Sequence, residues 1–270
     1  MTLREFFEGE KIYEYSYLPI EECEITDERR AKRLFEDFRV KTVVTFLIPY
    51  LVKTEEKSNI SRYAFAEDYH YYVKELAGRI EKALPHHFRI ACDTSPINEV
   101  SAAVRSGLGS IGRHGLLINK RYGTYVFVAE LFSDLSPESE AFEGILRKDK
   151  GQMCRECGAC ERACKTGGIK DKTRCVSFIN QKKKLDEGDL EIIKESGLVW
   201  GCDVCQEACP ENKNPEETEI EYFREKLTPY INEKVLSELL EKGDFSRRAY
   251  AWRGEKVIRR NVEIFGEDNE

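Results

Sequence analysis

Two short cysteine runs dominate this sequence: CRECGACERAC at residues 154–164 and CDVCQEACP at residues 202–210. The first run has the spacing C-x2-C-x2-C-x3-C, and the second has C-x2-C-x3-C followed by Pro210. Eight of the ten cysteines therefore fall between residues 154 and 209, with Cys175 alone between the runs. Three thiolates on one tight loop can hold three corners of an iron–sulfur cubane. In two-cluster folds the fourth cysteine of such a run ligates the other cluster.

This pairing rule divides the eight cysteines into two complete ligand sets, so we predict two [4Fe–4S] clusters. One predicted set is Cys154, Cys157, Cys160 and Cys209. The other predicted set is Cys164, Cys175, Cys202 and Cys205. Lys165 stands where a proline would normally follow the first run, and its positive charge would tend to raise the potential of a nearby cluster.

Three alternatives to iron–sulfur clusters are open for these cysteines. Disulfides fit poorly, because nothing in the sequence points to secretion and the cytosol keeps thiols reduced. Zinc could use the paired C-x2-C motifs, but a third cysteine at the same short spacing suits a cubane corner better than a tetrahedral ion. A chance group of structural cysteines is the third alternative. Cys23 and Cys92 lie outside the window and are predicted to be small buried hydrophobes.

The composition predicts a globular, cytoplasmic protein of about two domains. Of the 270 residues 41% are hydrophobic and 34% are charged, with 43 basic and 50 acidic side chains. The net charge of −7 gives no overall attraction to nucleic acid, although a local basic patch is compatible with it. The longest apolar run, residues 43–51, is far shorter than the ~20 residues that span a bilayer. Charged side chains in residues 1–11 stand where a secretory signal would be apolar.

The hydrophobic patterns predict an α+β protein in three parts: residues 1–148, a cysteine segment at 149–215 and a helical tail at 216–270. In the tail, one helical stripe carries Val235, Leu236, Leu239 and Leu240. For the first part we expect a buried strand, a helix ending at a proline, a short strand, a second helix and two further strands. Their predicted ranges are 39–51, 66–84, 88–92, 98–105, 116–119 and 124–132.

The segment GLGSIG at residues 107–112 fits the pattern G-x-G-x-x-G. A dinucleotide-binding loop of this pattern needs a strand before it and a helix after it. Here a predicted helix precedes the glycines and a predicted strand follows them. We therefore expect the glycines to let the backbone approach a packed strand or a flat cofactor, rather than to bind a nicotinamide cofactor.

Four further blocks of sequence occur in one order around the cysteines. They are SRYA at 61–64 leading to DYH at 68–70, DTSP at 93–96 followed by Glu99, GLGSIGRHGLLIN at 107–119 running into YGTYVFVAELFSDL at 122–135, and WGCDVCQ at 200–206. Together they span most of residues 60–210. In this order they resemble the epoxyqueuosine reductase family.

The resemblance implies a nitroreductase-related mixed α/β catalytic domain, then a bacterial ferredoxin-like domain with two [4Fe–4S] clusters, and a short helical tail. It also implies cobalamin as a cofactor, and reduction of the epoxide of epoxyqueuosine in tRNA to queuosine. Electrons would come from a low-potential donor such as flavodoxin or ferredoxin, with no part played by a membrane. This chain is shorter than usual family members, and we expect it to lack part of the N-terminal segment and most of the C-terminal helical-repeat domain.

The resemblance also implies roles for single residues. Asp93 aligns with the family's proposed proton donor, and the contacts to the corrin fall near Ser61, Leu117 and Val128. For the family's N-terminal arginine contact to cobalamin this sequence offers only Arg29 and Arg30 as substitutes.

Asp93 directly follows the apolar residues 90–92, so we expect a buried surround that raises its pKa enough for an acid at neutral pH. The alternative is that Asp93 caps the helix that begins after Pro96. Arg62, Tyr63 and Tyr69 are candidates for a substrate pocket, or for ordinary packing and surface pairing. His70 and His114 are expected to be ordinary hydrogen-bonded histidines rather than cobalt ligands.

The tail contains a basic stretch at residues 247–260 with Glu255 as its only acidic residue. As a helix it would present a basic face with stacking aromatic side chains, which is typical of surfaces that bind RNA, here the tRNA. The alternative is an amphipathic helix docked by Trp252, Val257 and Ile258. The basic and aromatic residues are Arg247, Arg248, Tyr250, Trp252, Arg253, Lys256, Arg259 and Arg260.

Two different functions also fit the sequence. One is a related corrinoid reductase that acts on a small molecule, because most of the repeat domain that helps to hold tRNA is expected to be missing. The other is a non-enzymatic electron carrier of the ferredoxin type, which would bind no cobalamin.

Overall fold

The structure, a computed structural model, describes residues 1–149 and 151–266. Residue 150 and residues 267–270, which fall in the predicted cysteine segment and tail, lie outside the described residues. Among the described residues no helix has both the length and the apolar character needed to cross a membrane. The strands are β1 (Tyr15–Pro19), β2 (Thr42–Pro49), β3 (Phe88–Ala91), β4 (Ser110–Ile111), β5 (Leu117–Ile118) and β6 (Val126–Ser133). The α-helices are α1 (Leu3–Gly9), α2 (Glu28–Phe35), α3 (Tyr69–Ala83), α4 (Glu99–Arg105), α5 (Ala159–Ala163), α6 (Val176–Ile179), α7 (Glu187–Ser196), α8 (Val204–Glu207), α9 (Glu233–Glu241) and α10 (Glu255–Gly266).

The chain packs into two units and passes between them several times. The first unit consists of residues 1–50, 70–156 and 214–220. The second unit consists of residues 51–69, 157–213 and the chain from residue 221 onward. The three-part division at residues 148 and 215 stays a prediction, because packing shows which residues lie together and not which segments fold alone.

A four-stranded antiparallel sheet forms the core of the first unit, with the strand order β1-β2-β6-β3. Strands β2 and β6 pair along their whole length, from Thr42 opposite Ser133 to Pro49 opposite Val126. Strand β2 has the sequence TVVTFLIP and is buried at every position. A strand in the middle of a sheet has a short continuous apolar sequence, which is why the sequence predicted it.

Helix α4 packs on β2 and β6 and leads into the hairpin of β4 and β5. Its N-cap is Asn98, whose Oδ1 accepts the backbone N–H of Ser101 at 3.0 Å. In the GLGSIG segment that follows, a Cβ on Gly109 would lie 2.3 Å from the carbonyl oxygen of Ile118. The glycine therefore allows close packing against a strand, and the strand β4 rather than a helix comes after it.

The two cysteines outside the cysteine segment both lie in the first unit. Cys92 is buried, as predicted. Cys23 is only partly buried and packs against the apolar cluster that contains Leu18 and Phe132. Burial raises the pKa of the Cys23 thiol to about 12, so the side chain stays neutral.

The second unit is helical and irregular, and its core joins segments that are distant in sequence. Ile60, Trp200, Leu236, Tyr250 and Ile258 are buried together in one apolar cluster. All six named strands lie in the first unit, and the described residues of the second unit show only isolated bridges, such as the one that joins Ile60 to Trp200. The mixed α+β character is confirmed. The ferredoxin-like arrangement and the relation to nitroreductases stay predictions.

The tail is less helical than its hydrophobic pattern predicted. Helices α9 and α10 carry the apolar stripe, but short 3₁₀ turns occupy residues 244–247 and 251–253. Gly243 and Gly254 adopt left-handed φ values of 75° and 87°. Because a residue with positive φ ends an α-helix, these glycines interrupt the helix that the spacing predicted.

Candidate active site and cysteine centre

Four cysteines of the second unit lie close together: Cys164, Cys175, Cys202 and Cys205. The charges of Cys164 and Cys175 help to raise the pKa values of the other two. Burial raises the pKa of Cys202 to about 11, and the thiols of Cys175 and Cys164 add to this increase. The pKa of Cys205 reaches about 12, again mainly through burial and then through Cys202, Cys175 and Cys164. These four cysteines are one of the two sets that the spacing rule predicts as cluster ligands.

Three cysteines of the other predicted ligand set lie in or next to helices α5 and α8, which pack against each other. Cys160 is buried on α5, and Cys209 lies two residues beyond the end of α8. Cys157 precedes α5, and its carbonyl oxygen accepts a hydrogen bond from Arg162 Nη1 at 2.8 Å. Cys154 belongs by its packing to the first unit.

No disulfide joins any of the cysteines that the structure describes. Nor do any three Cys, His, Asp or Glu side chains of the described residues surround one point in the manner of ligands to a single ion.

A buried aspartate in the second cysteine run holds the segment that begins at Ser61. Asp203 accepts hydrogen bonds from Ser61 Oγ at 2.5 Å, from the backbone N–H of Arg62 at 2.7 Å and from Gln206 Nε2 at 2.7 Å. Burial raises the pKa of Asp203, while the bonds from Arg62 and Ser61 act in the opposite direction. Ser61, expected near the corrin, therefore has its hydroxyl bound to the loop that carries two predicted cluster ligands.

The backbone before this run also approaches Ser61 closely. Gly201 has a φ of 67°, and a Cβ there would lie 2.5 Å from the Cβ of Ser61. Asn180 donates from Nδ2 to the carbonyl oxygen of Gly201 at 2.9 Å and accepts its N–H at 3.3 Å. Trp200 is buried and donates from Nε1 to Tyr63 Oη at 2.7 Å. These contacts fix residues 61–63 against the second cysteine run.

Asp93 lies two residues beyond the end of β3, and its side chain is exposed. Its φ of 57° lies in the left-handed region, which few residues other than Gly, Asn and Asp adopt. The prediction of a buried surround is therefore wrong, because the chain turns out of the sheet directly after the buried Cys92. The alternative role as a helix cap is also wrong, since Asn98 is the cap of α4.

Two glutamates lie next to the Asp93 loop, Glu130 fully buried and Glu99 partly buried, and sequence reasoning assigned neither of them a role. Glu130 lies in the middle of β6, opposite Thr45 of β2, and is 0% exposed. Glu99 is in the first turn of α4, and its carboxyl accepts backbone hydrogen bonds from Asp93 and Ser95. The available signal was an acidic residue inside the apolar strand VFVAELF, because a carboxylate is rarely fully buried unless it is paired.

The two glutamates have raised pKa values and few partners. Burial, followed by the negative charge of Asp93, raises the pKa of Glu99 to about 7. Burial and then the charge of Glu99 raise the pKa of Glu130 well above its usual range. Glu99 Oε1, both carboxylate oxygens of Glu130 and Thr45 Oγ1 have no hydrogen-bond partner of normal geometry within the described residues. Two carboxylates are both acceptors, so they can bond to each other only when one of them holds a proton.

Leu117 and Val128 border one apolar cluster of the first unit. Leu117 is buried in it together with Leu47 and Leu108, and Val128 is partly exposed at its edge. Val128 lies on β6 two positions before Glu130, so both side chains are on the same face of the strand. The structure thus brings Leu117 and Val128, two of the residues expected near the corrin, to one apolar cluster.

The start of the basic stretch is occupied by contacts within the second unit. Arg247 pairs with the buried Glu67 at 2.7 Å. Arg248 is itself buried and donates from Nη1 to the carbonyl oxygens of Phe65 at 3.1 Å and Lys226 at 2.8 Å. The prediction of a continuous helix with a basic face over residues 247–260 is therefore wrong, because this part turns into the core.

In the second half of the basic stretch, Arg259 and Arg253 have different kinds of partner. Arg259 pairs with Glu255 at 2.8 Å and also with Glu233. The guanidinium of Arg253 instead lies 3.9 Å from the ring centre of Trp252, and this ring is 63% exposed. The alternative in which Trp252 docks the helix is thus also wrong, although Val257 and Ile258 are buried as that alternative predicted.

The remaining candidates have ordinary structural contacts. His114 Nδ1 accepts the backbone N–H of Leu116 at 3.1 Å, and burial lowers the pKa of its ring. Arg62 Nη2 lies 3.3 Å from a carboxylate oxygen of Glu207. Arg29 and Arg30 are on α2, where Arg30 pairs with its capping aspartate at 3.4 Å. Tyr69 is buried and His70 is exposed, both at the start of α3.

Several known proteins that are similar to this chain carry the name epoxyqueuosine reductase. The family model described as "Epoxyqueuosine reductase QueG, DUF1730" matches residues 30–94. A protein named epoxyqueuosine reductase from Lactococcus garvieae is 34% identical over 263 residues, and the match covers 87% of this chain and 71% of the relative.

Solved structures give the same result along nearly the whole chain. The structure of epoxyqueuosine reductase from Streptococcus thermophilus matches with a TM-score of 0.71 and 26% identity, and covers 97% of this chain and 79% of that one. An epoxyqueuosine reductase solved with an epoxyqueuosine-modified tRNA stem loop matches with a TM-score of 0.73 over 96% of this chain and 78% of that one. At 21% identity this likeness shows the fold. By its sequence and its fold, the chain belongs to the epoxyqueuosine reductase family.

Proposed function

We propose that this chain is an oxidoreductase that reduces the epoxide of epoxyqueuosine in tRNA and so forms queuosine. The observation that carries the proposal is the 34% identity to a protein named epoxyqueuosine reductase over 71% of that protein's length. The reaction removes one oxygen atom. Two C–O bonds break, a C=C bond forms, and the oxygen leaves as water after taking up two electrons and two protons.

The electrons would reach the substrate through two [4Fe–4S] clusters. We assign one cluster to Cys154, Cys157, Cys160 and Cys209, and the other to Cys164, Cys175, Cys202 and Cys205. The proximity of Cys164 and Cys175 to Cys202 and Cys205, whose pKa values they help to raise, supports that assignment. Such clusters pass one electron at a time, at potentials that can be strongly negative, so a low-potential donor of the ferredoxin or flavodoxin class fits them.

Cobalamin is the second cofactor that we propose, with Ser61, Leu117 and Val128 among the residues that hold it. The partly exposed Val128, at the edge of the apolar cluster that contains the buried Leu117, suits contact with the face of a flat macrocycle. When bound, cobalamin supplies a cobalt centre that accepts electrons and acts on the epoxide. The chain's own part is to orient the substrate, exclude water and deliver protons.

Asp93 is the residue that we propose as the immediate proton donor. Its carboxyl is exposed, so a substrate can reach it. An epoxide oxygen that loses its bond to carbon develops negative charge and needs an acid within hydrogen-bond distance. The left-handed turn at Asp93 supports the role, because backbone conformations of this kind concentrate at functional sites.

We further propose that the tRNA contacts Trp252, Arg253 and Lys256 of the tail. Trp252 and Lys256 are exposed, and Arg253 stacks on the Trp252 ring. An exposed aromatic ring stacks on an unpaired base, and the neighbouring cations attract the phosphates. The related structure that holds a modified tRNA stem loop supports tRNA as the partner.

The test is turnover of a tRNA stem loop that carries epoxyqueuosine. The full chain is reconstituted anaerobically with iron and sulfide, loaded with cobalamin and separated from free ligand. Reductant and stem loop are then added, and nucleosides are identified by mass. We expect queuosine from the native chain and from Asp37→Asn, which alters an exposed aspartate elsewhere in the first unit. Asp93→Asn should retain iron and cobalamin but form no queuosine.

Two results would overturn the proposal. Reduction of free small epoxides or organohalides, with none of the tRNA, would make the chain a corrinoid reductase of small molecules. About eight iron atoms per chain without retained cobalamin would instead leave a two-cluster electron carrier.

A further inference from the structure

The carboxyl groups of Glu99 and Glu130 form an isolated polar pair inside the first unit. The sheet face around them is apolar, with Val43, Ala91 and Phe132 in one buried cluster and Leu47 in another. An ionised carboxylate without partners is far too costly to bury in such a place. Glu99 accepts two backbone N–H groups, but its Oε1 and both oxygens of Glu130 have no donor of normal geometry within the described residues, so the arrangement calls for a proton on the pair.

The position of this pair connects it to the loop of Asp93. The backbone N–H groups of Asp93 and Ser95 donate to the carboxyl of Glu99, whose Oε1 has no hydrogen-bond partner of normal geometry within the described residues. The negative charge of Asp93 also acts on both glutamates, so the three carboxyl groups form one electrostatic system.

We propose that Glu99 and Glu130 share one buried proton and resupply Asp93 during turnover, with Thr45 completing the polar pocket. This inference rests on the proposed function, in which the epoxide oxygen leaves as water. Water formation consumes two protons for each pair of electrons from the low-potential donor, and one carboxyl group carries only one. Asp93 gives the first proton, the buried pair supplies the second through Asp93, and solvent refills the pair.

Few other charged groups face this pair among the residues that the structure describes. Asp93 has been named, and the Cys23 thiol, which interacts with Glu130, stays neutral because burial raises its pKa to about 12. The positive charge of Arg105 lowers the pKa of the Cys23 thiol, against the effect of burial. Below about pH 7, where the pKa of Glu99 lies, both carboxyl groups hold a proton. Above it Glu99 ionises, and the pair keeps one proton because burial also raises the pKa of Glu130 well above its usual range.

The first experiment needs neither cofactor nor substrate. Infrared difference spectra of the full chain are recorded during a pH titration, and the C=O band of a protonated carboxyl group is followed. We expect a band that loses part of its intensity near pH 7, where Glu99 ionises, and keeps the rest, from Glu130, above that pH. Glu99→Gln should lack the change near pH 7, and Glu130→Gln should lack the part that persists. Glu67→Gln is the matched control, because Glu67 is also buried but is paired with Lys226 and Arg247, which lower its pKa against the effect of burial. A native chain without the band would overturn the proposal.

The second experiment follows multiple-turnover kinetics of the loaded enzyme against pH. Because the pair acts through Asp93, Glu99→Gln and Glu130→Gln should lower kcat about 10- to 100-fold with little change in KM, and should remove the decline of kcat above pH 7. Glu81→Gln, at an exposed position of α3, should behave as the native chain. Glu99→Asp keeps a carboxyl group and should restore part of the rate.

The outcomes separate the two proposals. Native turnover with an unchanged pH profile in both Gln variants would overturn the proton supply and leave the proposed function intact. Absence of native turnover would overturn the function, and the infrared band would then decide only whether the pair stores a proton. Gln is nearly isosteric with Glu and its amide can donate to the remaining carboxylate, so these variants should fold. Circular dichroism checks that they do.

Discussion

Asp93 and Glu99 divide between them two properties that an acid needs at neutral pH. The carboxyl of Asp93 is exposed to a substrate, whereas burial raises the pKa of Glu99 to about 7. The two residues are joined by the backbone hydrogen bond from Asp93 to the Glu99 carboxyl. Any change in the charge of Glu99 therefore acts directly on the loop that holds Asp93.

The raised pKa of Glu99 predicts that the free energy of unfolding depends on pH. In the unfolded chain Glu99 ionises at its usual value of 4.5, but in the fold it keeps its proton to about pH 7. The contribution of Glu99 to the free energy of unfolding is fully present below pH 4.5. It decreases as the pH rises to 7, by up to about 1.4 kcal/mol per pH unit. Urea unfolding measured between pH 4.5 and 7.5 should show this loss, and Glu99→Gln should reduce it. An equal slope in the variant would contradict the assignment.

For Asp93, Glu99 and Glu130 the sequence predicted some properties and not others. It located Asp93 at the end of β3, because an apolar run followed by Asp and Pro marks a strand and a turn. It could not show that Asp93 is exposed, since the left-handed φ of 57° is set by the packing of the following loop. Nor could it pair Glu99 with Glu130, which are 31 positions apart and meet only when α4 packs on β6.

At the scale of elements, the close approach of Gly201 to Ser61 fixes the start of the second cysteine run. We expect Gly201→Ala to destabilise the fold by about 1–3 kcal/mol more than Gly197→Ala, because overpacking has a cost of this size. Gly197 has a φ of 66°, close to the 67° of Gly201, but its added Cβ would meet nothing within 4 Å. Both variants share the left-handed strain, so the difference isolates the overlap with Ser61. Thermal unfolding of the two proteins measures it, and equal midpoints would rule the overlap out.

The tail gives a prediction about which cation meets the tRNA. Arg253→Glu should weaken binding of the stem loop and reduce the salt dependence of its affinity, because a phosphate contact is lost. Arg259→Glu should change the affinity much less, since Arg259 is already paired with Glu233 and Glu255. Affinities at several salt concentrations compare the two. A larger loss in Arg259→Glu would place the tRNA on the other side of α10.

The elements that the sequence predicted well are those whose pattern agrees with their burial. β2 and α3 fall inside the predicted ranges 39–51 and 66–84 because one is apolar throughout and the other has helical spacing up to Pro85. The prediction of a helix over residues 244–253 is wrong, because glycines on both sides break the helix and because Arg248 and Tyr250 turn into the core. A buried arginine that donates to backbone carbonyls, as Arg248 does, cannot be told from a surface arginine by its place in a basic stretch.

At the scale of the whole molecule, the two proposed clusters predict that the two units respond differently to loss of iron. Helices α5, α6 and α8 have only five, four and four residues, which is too short for stability without tertiary support. Chelation should therefore accelerate hydrogen exchange in these helices, while the paired strands β2 and β6 keep their protection. Cys205→Ala should lose about half of the iron, and Cys23→Ala should keep all of it. Uniform acceleration across both units would contradict this division.

The interleaving of the chain has a consequence for biogenesis. Ile60, Trp200 and Ile258 share one apolar core, so the second unit cannot close around its cysteines until α10 has left the ribosome. The cysteines at 154–164 are synthesised about a hundred residues earlier. The two proposed clusters therefore predict assembly after translation, with iron and sulfide reaching a polypeptide that already includes α10.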